Sequence, residues 1–263
     1  MKCYLLFFLV SIQFFSAQSQ TLQSEYEVIY KVKIHPDTLN RTNVLQEYSS
    51  LLIKDNTSLF KSTQKAKSDS IALALGKKQW ENPIDGKIVV DLRNVPKVNF
   101  KDEVYLDKGK QTIFKELLKT KFSFPLEDQL GWKIEDETKT IENYICKKAT
   151  TKYKNRTYVA WFSSAVPIPD GPYIFKNLPG LILEVYDTND FLRFTLVSLK
   201  KVEKPILIMK DVFSTDYKTY KKARKNFLDD PAGAVSNQTG MALSPQNMAR
   251  INENARRYNN YFD

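Results

Sequence analysis

The chain has 263 residues, 42% of them hydrophobic and 27% charged, and its 40 Lys and Arg against 30 Asp and Glu give a net charge of +10. That apolar content excludes disorder as the default and suits one β-rich domain. A single histidine and two cysteines exclude a histidine-based zinc site and a disulfide framework.

The first element is a leader. Lys2 precedes an apolar run from Cys3 to Phe15, followed by small and polar residues with Ala17 and Ser19 in a small-x-small arrangement. The run is about half the ~20 residues that a membrane-spanning helix needs, so residues 1–19 read as a secretory signal peptide, cleaved after Ser19 or alternatively after Ala17. Cys3 precedes the run and cannot be a lipid-bearing cysteine of the mature chain. No later stretch approaches spanning length, so residues 20–263 are expected to form a single exported domain in the periplasm or at the outer-membrane periphery. For such a protein the basic balance points to anionic lipid, lipopolysaccharide phosphate or acidic glycan before nucleic acid, or to a solvated surface with no particular partner.

Strands follow. In EYEVIYKVKI, Tyr26, Val28, Tyr30, Val32 and Ile34 share one face, with Glu25, Glu27, Lys31 and Lys33 opposite, the period of a half-buried strand. Glu47–Lys54 and Thr57–Ser62 are strands joined by an Asp55-Asn56 turn, and Lys87–Leu92 and Val98–Leu106 are two more. Residues 62–82, rich in Lys and Ser, read as a surface loop with a short helical turn. Thr112–Leu118 fits either a short helical stripe or a strand. Cys146, in a strand-like run, reads as a small buried apolar residue.

Hairpins are expected across 153–156 and 187–190. At the C-terminal end, about 214–263, Ser214 precedes a helix with Tyr217, Tyr220, Phe227 and Leu228 on one face. Ser244-Pro245 opens a second helix carrying Met248, Ile251, Ala255, Tyr258 and Phe262, since serine at the cap and proline at the first helical position are start signals. The connecting DDPAGAVSNQTG reads as a polar loop. The fold class is mainly β (α+β): a curved, largely antiparallel sheet or half-barrel with C-terminal helices.

The glycines are never closer than seven residues apart, which excludes dinucleotide and phosphate loops and a nucleophile elbow. His35 is the only histidine, and no serine partner is marked for it. No catalytic, cofactor-binding or metal-binding residue is assigned. Paired carboxylates remain as hydrolase candidates: Asp170, Glu184 and Asp187 lie beside a strand and a proline-rich loop, with turn and strand roles as the plainer readings.

The hexapeptide Asn177-Leu178-Pro179-Gly180-Leu181-Ile182, with WKIEDETKTIENYICKKAT, NRTYVAWF and VPIPDGPYIF before it, resembles the core of the GLPGLI family of exported Bacteroidota proteins. The similarity covers most of the chain after the leader, weakening in 62–82 and after about residue 205. It implies an export signal, a β-rich fold, an extended Thr112–Phe124 and frequent encoding beside TonB-dependent outer-membrane receptors, but no established activity. The family has glycine where this chain has Asn177, and a Gly-Arg pair where it has Asn155-Arg156. Asparagine is the side chain that best tolerates positive φ, so both positions read as turns. With Pro179 fixing φ and Gly180 closing the turn, the motif is a structural corner feeding the strand Leu181–Tyr186.

Function is read as binding: a non-catalytic envelope protein working with an outer-membrane receptor or an amphiphilic ligand, with a hydrolase of peptide or glycan as the alternative. Lys218, Lys221, Lys222, Arg224 and Lys225 form the basic side of the first C-terminal helix, suited to an anionic surface or simply solvated. Asp37-Thr38-Leu39 and Asp69-Ser70-Ile71 resemble short O-glycosylation acceptors, at Thr38 and Ser70.

Overall fold

The structure, a computed structural model, describes residues 21–81 and 95–261. The leader with its cleavage at Ser19, the strand expected at 87–92, and Phe262 lie outside these residues. Among those described, β1 (Tyr26–Ile34), β2 (Leu45–Lys54) and β3 (Thr57–Ser62) lead into α1 (Thr63–Glu81). Then come β4 (Glu103–Asp107), β5 (Lys110–Leu117), β6 (Thr120–Pro125), β7 (Lys133–Ile141), β8 (Tyr144–Tyr153) and β9 (Arg156–Ser163). The chain ends with β10 (Leu181–Asp187), β11 (Leu192–Lys201), β12 (Phe213–Ser214), α2 (Tyr217–Asp229), α3 (Pro231–Thr239) and α4 (Pro245–Arg257).

The strands form one curved sheet in the order β12-β6-β5-β4-β3-β2-β1-β11-β10-β9-β8-β7. Two antiparallel meanders, β2 to β6 and β7 to β11, meet on either side of β1, and the short β12 pairs parallel to β6. Tight turns with a left-handed residue join the strands, at Asp55, Lys108 and Glu142, as right-twisted hairpins prefer. Thr112–Phe124 is extended, in β5 and β6.

The alternation read in β1 sets the inner face. Val28, Tyr30, Val32 and Ile34 are buried there, with Leu51, Phe60 and Phe194 on neighbouring strands. Residues 164–180 cross this face and fill its centre. Tyr173, Ile174, Phe175 and Leu178 are each 1% exposed, and Tyr173 stacks on Phe194 with ring centroids 6.4 Å apart. Phe100 completes the cluster, edge-on to Phe60, Tyr173 and Phe194. Each such ring contributes about 1.5–3 kcal/mol by burial.

The hexapeptide forms a corner. Asn177 adopts φ 69° and Gly180 φ 149°, and the Leu181 amide donates to the Val166 carbonyl at 3.0 Å. Lys176, just ahead of it, is fully buried and ion-paired with Asp170, and its ammonium also donates to the Gly171 carbonyl at 2.8 Å. The indole of Trp132 donates to the Lys176 carbonyl at 2.8 Å. Tyr30 donates to the Ile182 carbonyl at 2.7 Å. Burial, then the Asp170 charge, holds its pKa well above the usual value, so it stays a donor.

Three expectations are corrected. In the turn at 153–156 the left-handed residue is Lys154, φ 51°, one place ahead of Asn155. Residues 63–81 are a full helix: Ser62 accepts from the Lys65 amide at 3.1 Å, and Ala, Leu, Lys and Gln are strong helix formers. The DDPAGAVSNQTG stretch contains α3, because Asp230 caps it by accepting from Gly233, Pro231 starts it, and Gly240 closes it at φ 68°.

Candidate ligand-binding cleft

The inner face stays open at one end, where the C-terminal helices approach the sheet. A cleft of about 540 Å³ lies there. Ile34, Leu45 and Phe100 form its floor, with Lys115 and Leu117 of β5 on one side. Tyr220, Arg224 and Phe227 of α2 and Ile251, Ala255 and Tyr258 of α4 form the opposite wall, which the tail residues Asn260 and Tyr261 extend.

Helix α2 is placed by its aromatic side. Asp216 caps it by accepting from the Thr219 amide at 2.6 Å, and Tyr220 packs on Phe122 and Phe124 with centroids 5.5 and 5.1 Å apart. This is the face the sequence indicated. The expected basic side divides, however. Lys218, Lys221, Lys222 and Lys225 are exposed, Lys225 pairing with Asp229 at 2.6 Å. Arg224 turns inward, 9% exposed, its guanidinium 4.3 Å from the Tyr261 ring centre and 5.6 Å from that of Tyr220. One turn of helix carries position 224 to the face of Tyr220, as any i, i+4 pair dictates, so an outward surface contact by Arg224 is corrected.

Helix α4 starts where Ser244-Pro245 predicts, with Ser244 accepting from Asn247 at 3.3 Å. None of its residues is buried. Polar ties hold it instead. Asn252 accepts from the Ala232 amide at 3.1 Å, the Asn259 and Asn260 amides both donate to the Pro36 carbonyl at 3.1 Å, and Asn260 donates to the His35 carbonyl at 2.5 Å. The Thr38 hydroxyl donates to Asn259 at 2.8 Å. The Leu39 amide, then the Asn259 side chain, hold the Asp37 carboxyl below the usual range. Thr38 is thus engaged in this tie, whereas Ser70 is exposed on α1.

Charge lines the cleft unevenly. Among the described residues that line it, Lys97, Lys101, Lys115 and Arg224 are the cations and Asp102 and Glu116 the carboxylates. Lys115 is 6% exposed and pairs with Asp102 at 2.5 Å, a carboxylate that also accepts from the Tyr173 hydroxyl at 3.2 Å. Glu116 pairs with Lys65 at 2.7 Å. Burial opposes the charge on Lys65, but Glu116, Asp69 and Glu103 outweigh it and raise its pKa.

The three carboxylates weighed for hydrolysis are engaged structurally. Asp170 holds Lys176 and the Gly171 amide. Glu184 pairs with Lys139 and with Arg193 at 2.6 Å. Asp187 accepts from the amides of Asn189, Phe191 and Leu192 and pairs with Arg156 at 3.0 Å. Arg156, read as a turn residue, also donates to Asn260 and to the Tyr261 carbonyl. That role was invisible in the sequence because its partners lie about a hundred residues away. Cys146 is fully buried as read, and burial raises its thiol pKa. No described helix is long and apolar enough to cross a membrane.

Residues 92–222, just under half of the chain, match a family model described as N-glycanase peptide, N-terminal domain. Two solved structures of PNGF-II, in P21 and C2 crystals, are similar at 17% and 18% identity, each with a TM-score of 0.49 and 76% of this chain covered. The chain spans about a third of the length of those structures, 32% of each. No curated protein matches it significantly.

Proposed function

We propose that the protein is an exported, non-catalytic binding protein of the GLPGLI type, acting in the periplasm or at the outer membrane beside a TonB-dependent receptor. The observation that carries this reading is the cleft: about 540 Å³, within the range of small-molecule sites, with apolar walls and convergent cations. Asp170, Glu184 and Asp187 each hold a cation or backbone amides, which supports a scaffold role for them over acid–base work. The exposed lysines of α2 beside the cleft would steer an acidic ligand toward it, an effect that salt weakens.

Two measurements test it. The protein recovered from the cell envelope should have the intact mass of a chain starting at Gln20 or, failing that, Gln18; retention of Met1 would overturn export by cleavage. The neutral dye N-phenyl-1-naphthylamine should fluoresce on binding the protein, and Ala255→Trp, which fills the cleft from an accessible helix position, should abolish the signal without lowering the melting temperature.

A second reading, hydrolysis of a glycan or peptide, draws on the family description matched by residues 92–222. Incubation with a denatured N-glycoprotein tests it. We expect no released glycan, and release that survives repurification would reverse the assignment.

A further inference from the structure

We propose that helix α1 seats the protein on an anionic phospholipid bilayer, with Leu73 and Trp80 at the level of the headgroups; this rests on the export reading above and not on the cleft. The helix docks on its own sheet by polar contacts. Its buried residues are Lys65 and Ser68, with Lys65 donating to Glu116 at 2.7 Å and the Ser68 hydroxyl to the Pro96 carbonyl at 2.8 Å. Ile71 and Leu75 are half-buried. Leu73 and Trp80 lie outward, 76% and 75% exposed, although a helix of a globular protein ordinarily turns its large apolar residues to the core. Seven positions are nearly two turns, so the two share one face about 10 Å apart.

Area and charge select the occupant. A tryptophan and a leucine offer on the order of 300 Å², well short of the roughly 800 Å² that each partner buries in a stable protein complex. A bilayer asks for no matching contour, and its interface suits tryptophan, apolar at one end and wet at the other. Lys67 and Lys77 are exposed on the same helix. Asp69 is held by Lys61 and Lys65, and Lys77 reaches Glu81 only at 3.9 Å with both ends in water. The outward side is thus net positive on a chain of net charge +10. Lysine stems lie along apolar surface while their ammoniums meet anionic headgroups.

The experiment uses the purified exported protein and vesicles of phosphatidylethanolamine and phosphatidylglycerol, with and without bromine on the acyl chains. Of the three tryptophans, Trp80 alone is exposed, Trp132 being half-buried and Trp161 buried, so quenching by bromine reports Trp80. At low salt the protein should sediment with the vesicles and lose part of its emission to bromine, and Trp80→Phe should remove that loss. Leu73→Ser should weaken sedimentation about tenfold, the effect of one apolar side chain leaving lipid, with the melting temperature unchanged because the position is exposed. Salt, or vesicles without phosphatidylglycerol, should reduce binding. Sedimentation without bromine quenching would put the contact elsewhere, such as the lysines of α2, and overturn the proposal. Quenching that survives Trp80→Phe, or Leu73→Ser binding like the parent, would overturn it equally. No sedimentation at low salt would leave the α1 face to a protein partner and also overturn it, whereas the mass of the envelope form judges export separately.

Discussion

Gly180→Ala tests whether the hexapeptide is a corner. A methyl group there would sit 2.2 Å from the Ser163 carbonyl oxygen, 2.6 Å from its carbon and 2.9 Å from Ser164 Cα. All three are backbone atoms at the end of β9, where Ser163 pairs with Leu181, so no side chain can swing aside. The backbone is also at φ 149°, a region that costs a residue with a side chain about 1–3 kcal/mol. Forcing β9 and β10 apart adds about 1–3 kcal/mol of overpacking. The sum, about 2–6 kcal/mol, centres near 4. At about 2–4 °C per kcal/mol for a domain of this size, the melting temperature should fall by about 8–16 °C. Asn177 provides the control, because it is exposed and left-handed. Asn177→Gly should melt like the parent, and Asn177→Val should lose about 1–2 kcal/mol. Thermal denaturation followed by circular dichroism reads all three. A Gly180→Ala protein melting within about 2 °C of the parent would refute the corner.

Two further stability predictions concern buried charge. Lys176→Met strands the Asp170 carboxylate in the interior and should cost about 3–5 kcal/mol in urea unfolding, most of it recovered in the Asp170→Asn/Lys176→Met double variant; equal losses in single and double would show that the pair is not the cause. Glu103 is fully buried, and burial raises its pKa even with Lys61 at 3.0 Å. The folded protein holds that proton more tightly than the unfolded chain, so the native state binds more protons between the two pKa values, and this group's contribution falls as pH rises. Glu103→Gln should therefore gain on the parent in melting temperature as pH is raised from about 4, the ordinary carboxyl value, and a parent that gains on the variant would contradict the sign.

Strands were most legible where one face is wet and the other buried, as in β1. β7, exposed along most of its length, was not read, and the strand expected at Val98–Leu106 starts only at Glu103. β1 alternates because its outer residues meet water and ion partners, Glu27 with Lys204 at 2.7 Å and Lys33 with Asp190 at 2.9 Å. Helix α1 was hidden by the same kind of evidence read too literally. Its lysines and serines suggest a loop, but Lys61 and Lys65 bind Asp69, Glu103 and Glu116, a polar docking that apolar periodicity cannot register. Cap chemistry located α2 and α4, whose starts depend on local residues, within a residue or two. It went unused for α3, where Asp230-Pro231 carried the signal. The cleft was not legible at all. Ile34, Lys115, Arg224 and Ala255 come from four distant elements, and only the sheet order brings them together.

That sheet order also explains why the cleft lies beside a structural motif. Residues 164–180 occupy the centre of the inner face and stop at the Gly180 corner, which returns the chain to β10. Asp187 ends that strand, and Arg156 links it to Asn260 and Tyr261, the tail that lines the cleft. The corner therefore fixes how much of the inner face is filled, and Arg156 fixes where the remaining opening is walled. A glycine required by backbone contact and an arginine tying two distant segments are both roles of geometry. Lys115, Arg224 and the rings of Phe100, Tyr220 and Tyr261 line the opening that this geometry leaves.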